Sequence, residues 1–410
     1  MIKRLPSSLF PLFFFLFSLF SLPAIDFNTP QLLAPYIAQP PEIASRSAVL
    51  IDAETGTVLY SKKPHEEIPP ASLAKLMTIH LVLNEIDAGK ASFDELIPIG
   101  RESWSQSQPL RSSLMFLAPG QTVTLKEILL GLAVSSGNDA AVAAALRLAP
   151  STADFAAMMT AEARRLGMVK TLFVEPSGIS ENNSTTAAEM AMFCQEYIRL
   201  HPNALADLHS VAEFAYPREE NVSEVFRVRP NTIVQANRNN LLKTFPGVDG
   251  LKTGYIDEAG YNIAVTAERN NTRFIAVIMG APAAPGGDRI RDRDSEKLLA
   301  WAFENFKTIR PAIDPVKPVK LWKGREKNVT LRPLEPLSFT APSGRAGMLQ
   351  YSVIINEPLI APLPADYPSG WVVFSDGSGE LHRVRLYTAK AYRQGSIFVR
   401  LWHSIRLFFS

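Results

Sequence analysis

Apolar residues recur at intervals of three and four positions through the middle of the chain, a spacing that is typical of amphipathic helices. This pattern predicts helices at residues 72–83, 125–134, 139–148, 187–200 and 294–306. The centre of the chain is therefore expected to be mainly helical.

Short apolar runs on both sides of this helical centre predict strands. Before it, residues 48–52 and 58–60 flank a turn that contains Gly56, as in a β-hairpin. After it, strands are predicted at residues 248–255, 261–267 and 272–279. Because strands lie at both ends of the helices, we expect an α+β domain at residues 45–310 whose first and last strands share one sheet.

The character of the sequence changes near residue 310. The following residues are rich in Pro, Val, Thr and Gly, with short alternating runs such as 371–374 before Asp376 and Gly377. This composition predicts a separate β-rich domain at residues 311–390.

The last segment, residues 391–410, predicts an amphipathic, mildly basic helix. Arg400, His403, Ser404, Arg406 and Ser410 fall on its polar side. Aromatic residues at a chain terminus favour insertion at a lipid surface, and a helix docked on the β-rich domain is the alternative. The apolar side consists of Ile397, Phe398, Leu401, Trp402, Ile405, Phe408 and Phe409.

The first 24 residues have the three parts of a secretory signal. Lys3 and Arg4 precede an apolar run from Leu9 to Leu22, and Ala24 ends the segment. The alternative is a retained anchor, but the run is shorter than a bilayer span and no basic flank follows it. We predict cleavage after Ala24, a Pro-rich linker at residues 25–44, and an exported protein.

Composition excludes several functions. The net charge of +2 comes without a basic block, so nucleic acid is not an expected partner. The single cysteine, Cys194, allows no intramolecular disulfide and is interpreted as a small buried apolar residue rather than a nucleophile. His65 and Glu66 lack the second histidine of a zinc helix, so no metal is expected.

Ser72 and Lys75 are the first candidates for chemistry. They lie three residues apart at the start of a predicted helix, so the hydroxyl and the amine share one face. A serine hydroxyl needs an adjacent base, and a lysine whose pKa is depressed can serve. A serine and lysine at this spacing are common on exposed helices, so the pair alone is weak evidence.

Two further motifs follow in order and strengthen the case. Ser136 and Asn138 flank a glycine between two predicted helices, and Lys252, Thr253 and Gly254 fall on a predicted strand. Together the three motifs are those of penicillin-recognising enzymes. In such a site Ser136 can relay a proton to the leaving amine, Asn138 can hold the substrate amide, and Gly254 lets the substrate backbone approach the strand.

The chain resembles the low-molecular-mass penicillin-binding D-alanyl-D-alanine carboxypeptidases. Besides the three motifs, the likeness rests on residues 112–120, 236–239, 248–254 and 288–291. It implies a transpeptidase/β-lactamase-like α+β domain, with helices on an antiparallel sheet, followed by the β-rich domain and the C-terminal helix. It also implies a two-step reaction in which Ser72 takes the acyl group of the penultimate D-alanine and water then releases it.

The resemblance implies partners as well as chemistry. These are a peptidoglycan stem peptide ending in D-Ala-D-Ala, β-lactam antibiotics that acylate the enzyme, and the membrane surface, with no cofactor. Arg238 and Arg291 would support Lys252 and the terminal carboxylate of the substrate, and surface ion pairs are the alternative. The implied location is the periplasm or the outer face of the cytoplasmic membrane.

Two departures from close relatives leave other functions open. Several relatives have histidine at the position of Ser177, and residues 255–258 after the Lys-Thr-Gly motif also differ. A slow-turnover penicillin-binding or scaffold protein is one alternative. A β-lactamase is another, with Glu175 as the only nearby candidate to hold a deacylating water.

Overall fold

The computed structural model describes residues 37–222, 231–345, 347 and 349–409. The predicted signal and residues 25–36 of the predicted linker lie outside the described residues. The helices are α1 (Ala74–Asp87), α2 (Leu125–Leu130), α3 (Asn138–Leu148), α4 (Thr152–Arg165), α5 (Ala187–Leu200), α6 (Leu241–Thr244), α7 (Gly287–Asn305) and α8 (Ile397–Phe408).

Strands occur on both sides of the helical centre, as the apolar runs predict. In the first part of the chain they are β1 (Ser47–Asp52), β2 (Val58–Lys62), β3 (Leu96–Pro98), β4 (Thr122–Thr124), β5 (Glu213–Tyr216), β6 (Ile233–Ala236), β7 (Val248–Ile256), β8 (Gly260–Arg269) and β9 (Thr272–Ala281). In the second part they are β10 (Phe306–Ile309), β11 (Val319–Trp322), β12 (Asn328–Val329), β13 (Leu331–Pro333), β14 (Phe339–Pro342), β15 (Gln350–Ile355), β16 (Leu359–Ile360), β17 (Pro368–Asp376) and β18 (Gly379–Thr388).

The centre of the first part is a five-stranded antiparallel sheet in the order β2, β1, β9, β8, β7. The first and last strands of the region pair directly, with Leu50 opposite Ala276, so the predicted shared sheet is confirmed. Successive residues of β8 point to opposite faces. Ala264 packs into the larger core beneath α1 to α5, and Val265 packs into a second core beneath α7. Both faces are covered, which explains the uninterrupted apolar runs of β8 and β9.

Helix α1 is the central helix of the larger core and carries the first motif. Its residues are buried on nearly every side, including Lys75 and His80. A short 3₁₀ turn, Ala71–Leu73, precedes it, so Ser72 sits in the turn rather than in the α-helix proper. The predicted helix at 125–134 is α2 followed by a widened, π-type turn, Gly131–Ser135, which leads into the second motif.

The second part of the chain is β-rich and has its own apolar core. A four-stranded sheet in the order β13, β18, β17, β15 and a three-stranded sheet in the order β12, β11, β16 surround Phe374, Leu386 and Tyr392. A link to the first part runs through Asp52, whose buried carboxylate accepts hydrogen bonds from Thr308 Oγ1 at 2.7 Å and Thr340 Oγ1 at 2.9 Å.

Helix α8 follows the β-rich part and leaves its apolar side uncovered. Phe398 and Phe408 are 80% and 84% exposed, whereas His403 Nδ1 accepts a hydrogen bond from the backbone N–H of Lys323 at 2.7 Å. The polar side therefore contacts the β-rich part while the aromatic side faces outward. Among the described residues, no helix has both the length and the apolar character needed to cross a membrane.

Candidate active site

Ser72 and Lys75 meet at the N-terminus of α1. Lys75 Nζ lies 3.0 Å from Ser72 Oγ, within hydrogen-bond distance. The turn that presents Ser72 is strained, because Ala71 has a φ of +49°, a left-handed value that residues other than glycine rarely adopt. The predicted contact between the hydroxyl and the amine is thus present in the structure.

Lys75 is fully buried and has three oxygen neighbours. Besides Ser72, its Nζ lies 2.8 Å from Asn138 Oδ1 and 2.6 Å from the carbonyl oxygen of Ser177. Burial lowers the pKa of Lys75 to about 7, and the carboxylates of Glu175 and Asp139 oppose this effect. A neutral amine can donate to the amide and the carbonyl while its lone pair accepts the Ser72 proton, which is the arrangement required of a general base.

The second motif occupies the bend between the π-type turn and α3. Ser136 is buried and has a φ of +59°, and Asn138 begins α3. Gly137 has no room for a side chain, because a Cβ there would lie 2.9 Å from the backbone nitrogen of Met115. The bend directs Asn138 toward Lys75, and Asn138 Nδ2 donates to Ser112 Oγ at 3.0 Å.

Asp139 holds this bend against the preceding segment. Its buried carboxylate accepts hydrogen bonds from the backbone N–H groups of Met115, Phe116 and Leu117 at 2.8, 2.8 and 3.0 Å. Burial raises the pKa of Asp139, although these hydrogen bonds favour the ionised form. Sequence reasoning did not single out Asp139; its signal is an acidic residue in the first turn of a helix.

The third motif lies on the edge strand β7, beside the 3₁₀ turn that presents Ser72. A Cβ on Gly254 would lie 2.9 Å from the Ser72 backbone nitrogen and 3.1 Å from the Pro70 carbonyl oxygen, so only glycine allows this approach. Lys252 is buried, and its Nζ donates to the carbonyl of Thr253 at 2.9 Å. Burial, together with the positive charges of neighbouring lysine and arginine residues, holds the pKa of Lys252 well below its usual value.

The two candidate arginines occupy different positions. Arg238 is exposed, and its Nε donates to the carbonyl of Ser135 at 3.2 Å, next to the second motif. Arg291 is buried on α7, and its Nε and Nη2 contact Asp292 Oδ1 at 2.8 and 2.6 Å. The positive charges of both arginines help to lower the pKa of Lys252. Both arginines therefore act electrostatically on Lys252, but Arg291 already has an anionic partner.

A cleft of about 350 Å³ opens beside these elements. Of the candidate site residues, Ser72 and Asn138 line it, together with Gly178, Ile179 and residues 255–258 after the third motif. The remaining lining residues are Leu110, Arg111, Ser112 and Ser113. Sequence reasoning missed Leu110, Arg111 and Ile179, because isolated surface residues carry no periodic signal.

The fold and the cleft define a class of protein. A serine and a lysine at the start of one helix, a Ser-x-Asn bend and a Lys-Thr-Gly strand come together beside one cleft, which is the arrangement of penicillin-recognising serine acyl-transfer enzymes. The helices packed on an antiparallel five-stranded sheet agree with that class.

Comparison with known proteins identifies the family. Residues 34–283 match the family described as D-alanyl-D-alanine carboxypeptidase, and residues 303–394 match the C-terminal domain of penicillin-binding protein 5. The chain is 32% identical over 387 residues to D-alanyl-D-alanine carboxypeptidase DacC of Escherichia coli, covering 92% of this chain and 91% of that protein. The chain therefore belongs to the D-alanyl-D-alanine carboxypeptidase family.

Other relatives agree. D-alanyl-D-alanine carboxypeptidase DacD of Escherichia coli is 33% identical over 376 residues, which cover 90% of this chain and 92% of that protein. The crystal structure of penicillin binding protein 5 from Haemophilus influenzae superimposes with a TM-score of 0.77 at 29% identity, covering 87% of this chain and all of that chain. The likeness thus includes both parts of the molecule.

Proposed function

We propose that the protein is a serine-type D-Ala-D-Ala carboxypeptidase that removes the terminal D-alanine from peptidoglycan stem pentapeptides. Family membership supports the reaction. The observation that carries the assignment of residues is the 3.0 Å contact between Lys75 Nζ and Ser72 Oγ. Ser72 and Asn138 line the same cleft, and Gly254 lies beside the turn that presents Ser72.

The reaction follows from the positions of these groups. Ser72 Oγ attacks the carbonyl of the penultimate D-alanine while Lys75 accepts the hydroxyl proton. The carbon–nitrogen bond then breaks, and Ser136 relays to the leaving amine the proton that Lys75 took from Ser72. Asn138 holds the substrate amide. Water hydrolyses the Ser72 ester and regenerates the hydroxyl.

The substrate carboxylate is assigned to the third motif. Lys252, Thr253 and Gly254 lie on strand β7, beside the nucleophile. The side chains of Arg238 and Arg291 add positive charge at Lys252. A carboxylate at this point gains charge-assisted hydrogen bonds. Since β-lactams present a carboxylate and a reactive amide, the same site explains acylation of Ser72 by these antibiotics.

The β-lactamase alternative is disfavoured by Glu175. Both oxygens of its carboxylate already accept hydrogen bonds from its own loop, including Ser177 Oγ at 2.6 Å and Gly178 N at 2.6 Å. No free carboxylate oxygen is left to activate a deacylating water. A slow-turnover penicillin-binding or scaffold protein remains an outcome of the test below.

We also propose the domain layout and the location that follow from the sequence. Residues 45–310 would form the peptidase domain and residues 311–390 the β-rich domain, supported by their separate apolar cores. Export through the signal at residues 1–24 would bring the mature chain to the outer face of the cytoplasmic membrane. The exposed aromatic side of α8, in residues 391–410, would hold it at the membrane surface.

Release of free D-alanine tests the proposal. The purified mature chain is incubated with a stem pentapeptide ending in D-Ala-D-Ala, and free D-alanine is measured. Repeated turnover to the tetrapeptide is expected. A single equivalent of released D-alanine per enzyme would instead identify a slow-turnover binding protein.

A further inference from the structure

The loop at residues 175–183 folds around a single carboxylate. Glu175 Oε2 accepts hydrogen bonds from Ser177 N at 2.7 Å and Ser177 Oγ at 2.6 Å. Glu175 Oε1 accepts from Gly178 N at 2.6 Å, Asn183 Nδ2 at 2.8 Å and Ser180 N at 3.4 Å. The donors all belong to the loop itself, so this anion organises the local fold.

The same loop rests on the helix that carries Lys75. Two successive loop carbonyls accept hydrogen bonds from α1: Pro176 O from Thr78 Oγ1 at 2.7 Å, and Ser177 O from Lys75 Nζ at 2.6 Å. Gly178 has a φ of +83°, and a Cβ there would lie only 1.9 Å from the carbonyl oxygen of Ala71. The loop therefore contacts both the base and the turn that presents Ser72.

We propose that Glu175 is a positioning residue for the acylation step. It folds the 175–183 loop so that the Ser177 carbonyl holds Lys75 Nζ against Ser72, and its negative charge acts on that amine. This role lies outside the three motifs. It rests on the proposed acyl-enzyme reaction, because Lys75 must be the base for its position to matter.

The charges around Lys75 define the electrostatic part of the proposal. Burial and the guanidinium of Arg238 lower the pKa of Lys75, whereas the carboxylates of Glu175 from the loop and Asp139 from α3 raise it. Lys252 on β7 is a second buried amine that interacts electrostatically with Lys75. Removing the charge of Glu175 should lower the pKa of Lys75 further. The acidic limb of an acylation profile that needs neutral Lys75 should then move to lower pH.

Glu175→Gln tests both parts of this role in the full mature chain. A carboxamide accepts through only one oxygen, so donors on the other side lose their acceptor and the loop loosens. The second-order rate of acylation by a fluorescent penicillin is measured between about pH 5 and 9, with circular dichroism to verify folding. We expect a loss of about tenfold or more at the optimum, together with an acidic limb at lower pH.

Two further variants separate charge from geometry. Glu181→Gln removes the same charge from an exposed position of the same loop and should leave both the rate and the acidic limb unchanged. Glu175→Asp keeps the charge but shortens the side chain by one methylene. It should slow acylation while leaving the acidic limb close to that of the wild type.

Several results would overturn the proposal. A wild-type rate and profile in Glu175→Gln would remove any role for this residue. A slower rate with an unmoved acidic limb would reduce Glu175 to a purely structural residue, and normal acylation with slow deacylation would make it a water-activating group. If the wild-type chain itself fails to acylate, the acyl-enzyme assignment has failed instead, which is a distinguishable outcome.

Discussion

The glycine that contacts the nucleophile turn gives a test at the scale of one residue. Gly178 and Gly120 share a left-handed φ, +83° and +84°, but only Gly178 has a close neighbour, the Ala71 carbonyl oxygen. Gly178→Ala should therefore combine strain with a clash and destabilise the protein by ~2 to 4 kcal/mol, whereas Gly120→Ala should cost ~1 to 2 kcal/mol.

Urea unfolding of both variants measures this difference. Gly178→Ala should also acylate more slowly than Gly120→Ala, because relief of the clash displaces either the loop or the Ser72 turn. Equal free energies of unfolding and equal acylation rates in the two variants would show that the contact with Ala71 is unimportant.

Arg291 gives a second test at this scale. The substrate is offered with a free or an amidated C-terminus to the wild type and to Arg291→Gln, and kcat/KM is measured. Amidation should lower the kcat/KM of the wild type roughly ten- to a hundredfold for each charge-assisted hydrogen bond that is lost. If the charge of Arg291 acts at the carboxylate, Arg291→Gln should slow the free acid more than the amide.

A matched control lies on the same helix. Arg289 is exposed, so Arg289→Gln should affect neither peptide. Equal slowing of both peptides by Arg291→Gln, or no slowing of either, would remove Arg291 from the carboxylate site and leave it as a buried ion pair with Asp292.

Individual catalytic candidates could be predicted because spacing in a helix fixes their geometry. Ser72 and Lys75 are an example, since residues three apart share a face. Asn138 and Gly254 could be placed only through recognised motifs, because their partners are distant in sequence. The saturated carboxylate of Glu175 could not be foreseen, since its hydrogen bonds depend on the path of an irregular loop.

At the scale of elements, prediction succeeded where apolar periodicity is strong. The helix predicted at 187–200 has the bounds of α5, Ala187–Leu200. Helix α7 begins at Gly287 instead of residue 294, because its first turns are charged and lack an apolar stripe. Helix α4, Thr152–Arg165, was missed; its signal was the N-cap, since Ser151 Oγ accepts from Asp154 N.

Buried histidines link helices α1 and α4 to the end of α5, which predicts acid sensitivity. His80 Nδ1 of α1 lies 2.9 Å from Nε2 of His201, the residue that follows α5, and His80 Nε2 lies 2.9 Å from Glu162 Oε1 of α4. Burial and the neighbouring His80 lower the pKa of His201 to about 4, although Asp87 opposes this, and burial lowers the pKa of His209 to about 4.

These shifts make the protein less stable at acidic pH. A histidine in the unfolded chain has a pKa of 6.5, so below that pH the unfolded state binds protons that the folded state does not bind. Stability is fully present above pH 6.5 and is lost as the pH falls toward 4, by up to ~1.4 kcal/mol per pH unit for each histidine. Urea unfolding at several pH values should show this slope, and His201→Gln should reduce it. An unchanged slope in the variant would contradict the prediction.

At the scale of the whole molecule, the two parts and their order could be predicted from composition and periodicity. The hydrogen bonds that join the two parts could not be predicted in this way. Asp52 is linked to Thr308 and Thr340, which lie 256 and 288 residues away, and no local pattern marks such a pair. The direction in which α8 turns its aromatic side is likewise a property of the assembled chain.

Membrane attachment is the prediction that belongs to this scale. Replacing both Phe398 and Phe408 with serine removes two exposed aromatic side chains, each worth ~1.5 to 3 kcal/mol when buried in lipid. The full mature chain should sediment with phosphatidylglycerol-containing vesicles, and this variant should not. Ser404→Gln, on the polar side, is the control and should still bind. Undiminished binding by the double variant would show that α8 is not the attachment site.

The central claim is that Ser72 is the acylated nucleophile. The most direct measurement is mass spectrometry of peptides from the chain after reaction with a penicillin, for the wild type and for a folded Ser72→Ala variant. One penicilloyl group on the peptide containing Ser72, and none on the variant, is the predicted result. A label of equal yield on folded Ser72→Ala, or on a peptide without Ser72, would contradict the account.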